Sequence, residues 1–309
     1  MGTRKQNLQV TKVTDGDTIK VDIDGVAESL RLTCLDTEES QERGGKPKTN
    51  AGLEAKKFAE EFFANNDDDK THIKVDIEFD TDDPFDVCLK KHRDNFGRLL
   101  CYVHKDSQNY NLEAIRQGHS PYFVKYGLSR TYHDSFTLAE RDAQAKKQMI
   151  WDLATNKDGK SRNYNELVPW WYLRAQTIQD YRKVADKPNL LSVRLNYEKI
   201  IEKAQNSESA TIFCDLQDGI QNFSSGSVLF AGSPNHPFNL WIPATDDGKS
   251  EQIVEFLLLR YTDRKHSEED DSTKRQRRNY VYVSGKVELY RETTPQIVVN
   301  DPNQISDRP

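Results

Sequence analysis

The sequence predicts a mainly β protein with helices (α+β), organised as two small barrels in tandem. Three observations predict it. Short segments that alternate apolar and polar residues recur in both halves, as half-buried strands do. Turn residues such as TDGD, Asp24–Gly25 and DNFG separate them. A polar run, NKDGKSRNYN, interrupts the pattern at 156–165, in a chain whose 309 residues exceed the needs of one small core. The reading is a first domain over 1–155, a linker and connecting helix over 156–185, and a second domain over 186–309.

The first domain opens with LQVTKV (8–13), the turn TDGD, then TIKVDI (18–23). Asp24–Gly25 is a hairpin signal, and AESLRLTCL (27–35) follows as a third strand. SQERGGKPKTN is a loop, with Asn50 as expected N-cap of a helix over GLEAKKFAEEFFA. HIKVDIEF (72–79) is a fourth strand, the acidic DTDDPFDVCLKKH a long loop, and RLLCYVH a fifth strand after the turn DNFG. NLEAIRQG is a short helix ended by Gly118. DSFTLAERDAQAKKQMIW is a longer one with Asp134 as expected cap. Five short strands with helices after the third and fifth predict a small closed barrel.

In the second part, VPWWYLRAQTIQDYRKV reads as a helix with Pro169 near its start. Trp170, Trp171, Tyr172 and Tyr181 on it are read as packing residues rather than base-stacking ones. TIFCDL, SGSVLFAG and FNLWIPA read as strands and EQIVEFLLLRYT as a helix. DRKHSEEDDSTKRQRRN is a mixed-charge loop, and NYVYVSGKVELYR with TPQIVVN closes as a hairpin. Three strands, a helix and two strands is the order of an OB-fold.

The net charge of −6, from 44 Lys and Arg against 50 Asp and Glu, excludes binding of polyanions by bulk charge. A nucleic-acid site must then be a local basic patch or borrow charge from a metal. Lys274, Arg275, Arg277 and Arg278 form the one dense basic cluster, behind the acidic run Glu268–Asp271. No apolar run approaches the roughly 20 residues of a membrane span. The basic N-terminus has no apolar stretch behind it. The default is therefore a cytoplasmic protein, or a secreted one if a signal has been removed. Cys34, Cys88, Cys101 and Cys214 form no CxxC pair, which argues against zinc, and Cys34 and Cys101 sit in apolar runs as buried thiols.

Certain residues of the first half suit phosphodiester chemistry. Asp17 ends the turn of TDGDT and Asp36 follows the strand LRLTCL. Carboxylates at strand ends can converge on a hard cation such as Ca²⁺. Arg31, among Leu30, Leu32 and Leu35, is costly unless it faces a functional cavity or a partner. Arg98 follows the turn DNFG, and a guanidinium can grip phosphate by two parallel hydrogen bonds. Glu39 lies close enough to Asp36 to reach a water beside a metal. Taken singly, each is as readily a turn, an ion pair or a solvated charge; order and spacing together favour function.

The segments DGDTIKV, RLTCLDTEE, DNFGRLLCYV and AERDAQAKKQMIWD resemble the motifs of the staphylococcal nuclease, or thermonuclease, family over about residues 8–153. The resemblance implies a five-stranded OB-type barrel with three helices and endonucleolytic hydrolysis of DNA and RNA leaving 3′-phosphates. It makes Asp17 and Asp36 the Ca²⁺ carboxylates, with the carbonyl of Thr37 facing the metal. Glu39 becomes the base or water-orienter, and Arg31 and Arg98 the phosphate-binding arginines. Glu38 stands where the family usually has proline, and the excursion around Asp82–His92 is longer than in short members. Tyr126 matches one tyrosine of the family's base pocket; the other falls near Val124, with Tyr122 close by. Substrate contacts are therefore assigned to Tyr122, Tyr126, Lys274, Arg275, Arg277 and Arg278, and the partners are DNA, RNA or both, with no membrane. The competing class is a catalytically idle nuclease-like binding module. The occupied catalytic positions argue against it. Nothing in the sequence fixes the oligomeric state.

Overall fold

The computed structural model describes residues 2–42, 46–64, 73–152, 154–155, 162–262 and 278–309. The chain divides into two compact units, Met1–Tyr172 and Leu173–Pro309.

In the first unit the strands are β1 (Arg4–Asp15), β2 (Thr18–Ile23), β3 (Val26–Leu32), β4 (Lys74–Glu78), β5 (Leu99–Lys105) and the short β6 (Gln108–Asn109). The order β3-β2-β1-β4-β5-β6, together with a β3–β5 pairing, closes the first five into a barrel. That closing pair is parallel, with Leu30, Arg31 and Leu32 opposite Leu99, Leu100 and Cys101. Alternation along the strands fills the interior with Ile19, Val21, Leu30, Leu32, Ile77, Leu99, Cys101 and Val103, all buried.

The helices are α1 (Asn50–Phe62), α2 (Phe85–Lys91), α3 (Tyr110–Arg116) and α4 (His133–Ala145). The N-cap of α1 is Thr49, not Asn50: its hydroxyl accepts from the Gly52 amide at 3.0 Å, and Asn50 already lies in the first turn. Asp134 likewise lies in the first turn of α4, behind Tyr132 at the cap. The stretch expected as a long acidic loop contains α2. It begins behind Pro84 and carries Asp86 in its first turn and Lys90 and Lys91 in its last, matching the helix dipole at both ends.

α5 (Tyr164–Arg182) crosses the division between the units and has Pro169 inside it rather than near its start. The second unit continues with β7 (Leu190–Ser192), α6 (Tyr197–Gln205), β8 (Ser209–Phe223), β9 (Gly226–Gly232), β10 (Pro237–Pro243), α7 (Lys249–Tyr261), β11 (Tyr280–Tyr290), β12 (Thr294–Val298) and β13 (Ile305–Ser306). Strands β8-β9-β10-β12-β11 close a second five-stranded ring through the β11–β8 pairing, and β10 and β12 run parallel. Its core includes Ile212, Leu229, Phe238, Leu240, Leu257, Val281, Val283, Val287 and Ile297. Numbered within each unit, both rings follow first, second, third, fifth, fourth, with third and fifth parallel. This is the OB order. β7, α6 and β13 were not foreseen. The mixed-charge loop falls on residues 263–277, outside the described residues. All four cysteines are free and buried. Among the described residues no helix is long and apolar enough to cross a membrane.

Candidate active site

The site begins with the turn between β1 and β2. A Cβ on Gly16 would lie 2.9 Å from both the Ala55 Cβ and the Thr37 Cγ2, so glycine alone lets this turn seat between α1 and the segment after β3. The Tyr110 hydroxyl fixes it from below by donating to the Gly16 carbonyl at 2.7 Å. The turn delivers Asp17, whose carbonyl accepts from the Leu32 amide at 2.9 Å and whose Oδ2 accepts from the Thr37 amide at 3.1 Å. On the far side Gly52 of α1 meets the Glu39 carbonyl so closely that a Cβ would stand 2.1 Å from it. The segment Asp36–Glu39 is thus clamped between the β1–β2 turn and the start of α1.

Arg31 lies in β3 between Leu30 and Leu32, opposite Thr18 of β2 and Leu100 of β5. It is buried, and its guanidinium forms ion pairs with both Asp17 and Asp36. The Phe123 ring lies 6.0 Å from it, close enough for a cation–π contact. Burial works to lower the Arg31 pKa, but the two carboxylates outweigh it and the group is held charged. The Asp36 N–H donates to Ser120 Oγ at 2.9 Å. Burial raises the Asp36 pKa, and Arg162, Arg31 and Lys46 overcome this to bring it down to about 2.

Arg98 lies at the rim. Its Nε donates to Asp94 Oδ2 at 2.8 Å, its Nη1 reaches Thr18 Oγ1 at 3.3 Å, and Thr18 in turn donates to Asp17 Oδ1 at 2.8 Å. Arg98 is thereby linked to the Asp17–Arg31–Asp36 group through one hydroxyl. Glu39 accepts from Lys46 Nζ at 2.9 Å.

Arg162 and Tyr164, which the sequence reading did not single out, complete the group together with Glu38, noted there only as a departure from the family pattern. Arg162 Nη1 pairs with the Asp36 carboxylate, and its Nη2 donates to the Asp36 carbonyl at 2.9 Å and the Thr37 carbonyl at 2.7 Å. Glu38, 4% exposed, accepts from the Arg162 amide at 3.0 Å and from the Tyr164 hydroxyl at 2.7 Å. Phe123 and Ser120 carried no motif signal, and Asp94 was read only as part of the DNFG turn. Among the described residues no three His, Cys, Asp or Glu side chains converge as a metal cluster. A cation here would rest on two carboxylates and backbone oxygen.

The substrate-binding candidates separate. Tyr126 is half-buried with Lys125 5.7 Å from its ring, and lies near enough to Arg31 to affect its charge. Tyr122 is fully buried. Its hydroxyl accepts from the Ser129 amide at 2.8 Å and meets His133 Nδ1 at 3.1 Å, so it packs in the core and has no face for a ligand. Trp171 packs edge-on against Phe123 and Tyr172 against Tyr122, as packing residues do. Lys274, Arg275 and Arg277 lie outside the described residues. Arg278 is engaged with Asp307, 3.3 Å from its Oδ1.

With this geometry in place, residues 29–153 match the family described as staphylococcal nuclease homologue. The chain is 29% identical over 145 residues to "Endonuclease YncB" of Bacillus subtilis (strain 168), covering 47% of this chain and 61% of that protein. It is 29% identical over 149 residues to "SPbeta prophage-derived endonuclease YokF" of the same strain, covering 48% of this chain and 45% of that protein. A "Thermonuclease" of Staphylococcus hyicus is 30% identical over 147 residues, 48% of this chain and 76% of that protein. The chain thus spans less than two thirds of either Bacillus protein, and all these matches cover about half of it.

Proposed function

The chain belongs to the staphylococcal nuclease family, and from that premise we propose that its first barrel is a calcium-dependent endonuclease that hydrolyses phosphodiester bonds of DNA, RNA or both. The observation that carries this reading is the buried Arg31 held between the carboxylates of Asp17 and Asp36. A buried arginine between two carboxylates, flanked by leucines, contributes less to stability than apolar packing would. Its place at a barrel rim is the place for binding an anion.

The donor set fits a hard divalent cation. It is all oxygen, and the Asp36 carboxylate, Asp36 carbonyl and Thr37 carbonyl already converge on one positive group, the Arg162 guanidinium. Asp17, Asp36 and the Thr37 carbonyl are assigned to the cation. When bound, calcium would offset phosphate charge and favour the buildup of negative charge in the transition state. Arg31 and Arg98 are assigned to the non-bridging phosphate oxygens, where fixed donors act most strongly on the transition state. Glu39 is assigned to orienting the attacking water and accepting its proton. Its ion pair with Lys46 leaves it at the partly exposed edge of the site, within reach of water.

For the second barrel we infer binding of the substrate strand. Its OB ring supports this, as does the partly exposed Trp241 with Phe223 6.3 Å away, an aromatic pair on which bases can stack. The test of the whole reading is digestion of plasmid DNA and of RNA by the purified full chain, in calcium and in EGTA. Hydrolysis only in calcium is the expected result. Binding without hydrolysis in any metal would instead make the chain an idle binding module.

A further inference from the structure

Glu38 is the departure from the family pattern that the catalytic assignments leave unused. It is a buried carboxylate between the Thr37 carbonyl and Glu39, and such a group is costly without partners. Its partners come from the stretch that leads into α5: the Arg162 amide at 3.0 Å, the Arg162 Nε at 3.4 Å and the Tyr164 hydroxyl at 2.7 Å. This grip positions the Arg162 guanidinium on the Asp36 carboxylate, with Nη2 at 2.9 Å from the Asp36 carbonyl and 2.7 Å from the Thr37 carbonyl. Those oxygens belong to the set assigned to the cation. A guanidinium is a permanent cation with donors only, so it satisfies the same acceptors without needing any group to change protonation.

We propose that Arg162, clasped by Glu38 and Tyr164, is a tethered counter-cation that fills the calcium position and must be displaced before a divalent cation binds. The proposal rests on the assignment of Asp17, Asp36 and Thr37 to the cation. It gives Glu38 a purpose that proline could not serve, since proline carries no acceptor for the Arg162 amide or the Tyr164 hydroxyl. Calcium would compete with the Arg162 guanidinium for Asp36 Oδ2 and the Thr37 carbonyl, both of which that guanidinium holds directly. Calcium and the Arg162 contact are therefore linked: each weakens the other by the same factor.

The test is calorimetric titration of calcium into the full chain after removal of metal by chelator. Arg162→Gln is expected to tighten calcium binding by on the order of 5–100-fold, the usual range for coupled sites. Tyr164→Phe, which changes no charge, is expected to tighten it by a smaller factor. Lys46→Gln controls for the loss of one positive charge, because Lys46 pairs with Glu39 and touches none of the assigned ligand oxygens. Equal tightening in Lys46→Gln and Arg162→Gln would overturn the clasp in favour of simple charge removal. Unchanged or weaker binding in Arg162→Gln, with Asp36→Asn abolishing binding to the wild type, overturns the clasp and leaves the ligand assignment standing. Absence of calcium binding in both wild type and Arg162→Gln removes both. Hydrogen exchange needs no variant: the Arg162 amide is expected to lose protection when calcium is added to the wild type, and retained protection at saturating calcium would also overturn the proposal.

Discussion

Arg31 is a structural burden in β3 and, in the function proposed, the residue at the centre of the chemistry. Its neighbours in β3 are buried leucines, yet its charge is retained because Asp17 and Asp36 approach from adjacent turns. Arg31→Ala and Arg98→Ala are each expected to lower turnover by roughly 10²–10³-fold, the value of one transition-state donor. Circular dichroism spectra should stay native. Near wild-type rates in both variants would remove the proposed mechanism. Glu39→Gln is expected to damage turnover far more than Glu38→Gln, because Glu38 is committed to Arg162 and Tyr164. The reverse order in a single-turnover assay would move the base by one residue. The legibility of these residues in the sequence follows sequence distance. Asp17, Arg31, Asp36 and Thr37 sit in short motifs around one hairpin, so their types and spacing could be read directly. Ser120 meets the Asp36 amide across 84 residues and Arg162 meets its carboxylate across 126. No local pattern encodes such a meeting; it exists only once the barrel and the start of α5 are packed.

At the scale of the element, α4 carries a buried titratable group on its inner face. Glu140 is 4% exposed and accepts from the Tyr122 amide at 2.8 Å. Burial raises its pKa from 4.5 to about 7, with the Tyr122 hydrogen bond opposing. The folded protein therefore holds this proton more tightly than the unfolded chain. The contribution is fully present below about 4.5 and is lost as pH rises through about 7. Glu140→Gln keeps an acceptor for Tyr122 and removes the titration. It is expected to raise the melting temperature at pH 8 and to change it little at pH 4.5. Differential scanning calorimetry at the two pH values decides; an equal effect at both would mean Glu140 stays ionised. Thr49→Ala should cost about 1 kcal/mol in denaturant unfolding, as loss of an N-cap does. The shift of that cap from Asn50 shows how element ends escape sequence reading, since Thr49 and Asn50 are both good caps and only packing against the Glu39 carbonyl chooses. α2 was missed for another reason. Its acidic surroundings read as solvated loop, although Pro84, Asp86, Lys90 and Lys91 stand where a short helix wants them.

At the scale of the whole molecule, the two rings were legible because alternation and turn residues mark each strand, while β7 and β13, of three and two residues, are too short to carry a pattern and depend on pairing with longer strands. α6 does carry an amphipathic pattern, with Ile200 and Ala204 on its buried face, and was passed over. Expressed alone, residues Met1–Tyr172 are expected to fold and to cleave short oligonucleotides, because this unit has its own closed barrel and all the assigned catalytic groups. Affinity for long substrates should fall, measured by fluorescence anisotropy across a salt series. Equal affinity at every salt concentration would give the second barrel a different task.

The parallel seam between β3 and β5 has a consequence in time. During synthesis β3 is complete at Leu32, but its closing partner starts only at Leu99, directly after Arg98. Pairing across so long a separation raises contact order, which slows folding. Arg31 on one side of the seam and Arg98 beside the other therefore come together only once this non-local pairing has formed. A nascent or locally opened chain holds Asp17, Arg31 and Asp36 without Arg98 in place. Under the function proposed above, competence to cut then arrives with the completed fold and departs with it.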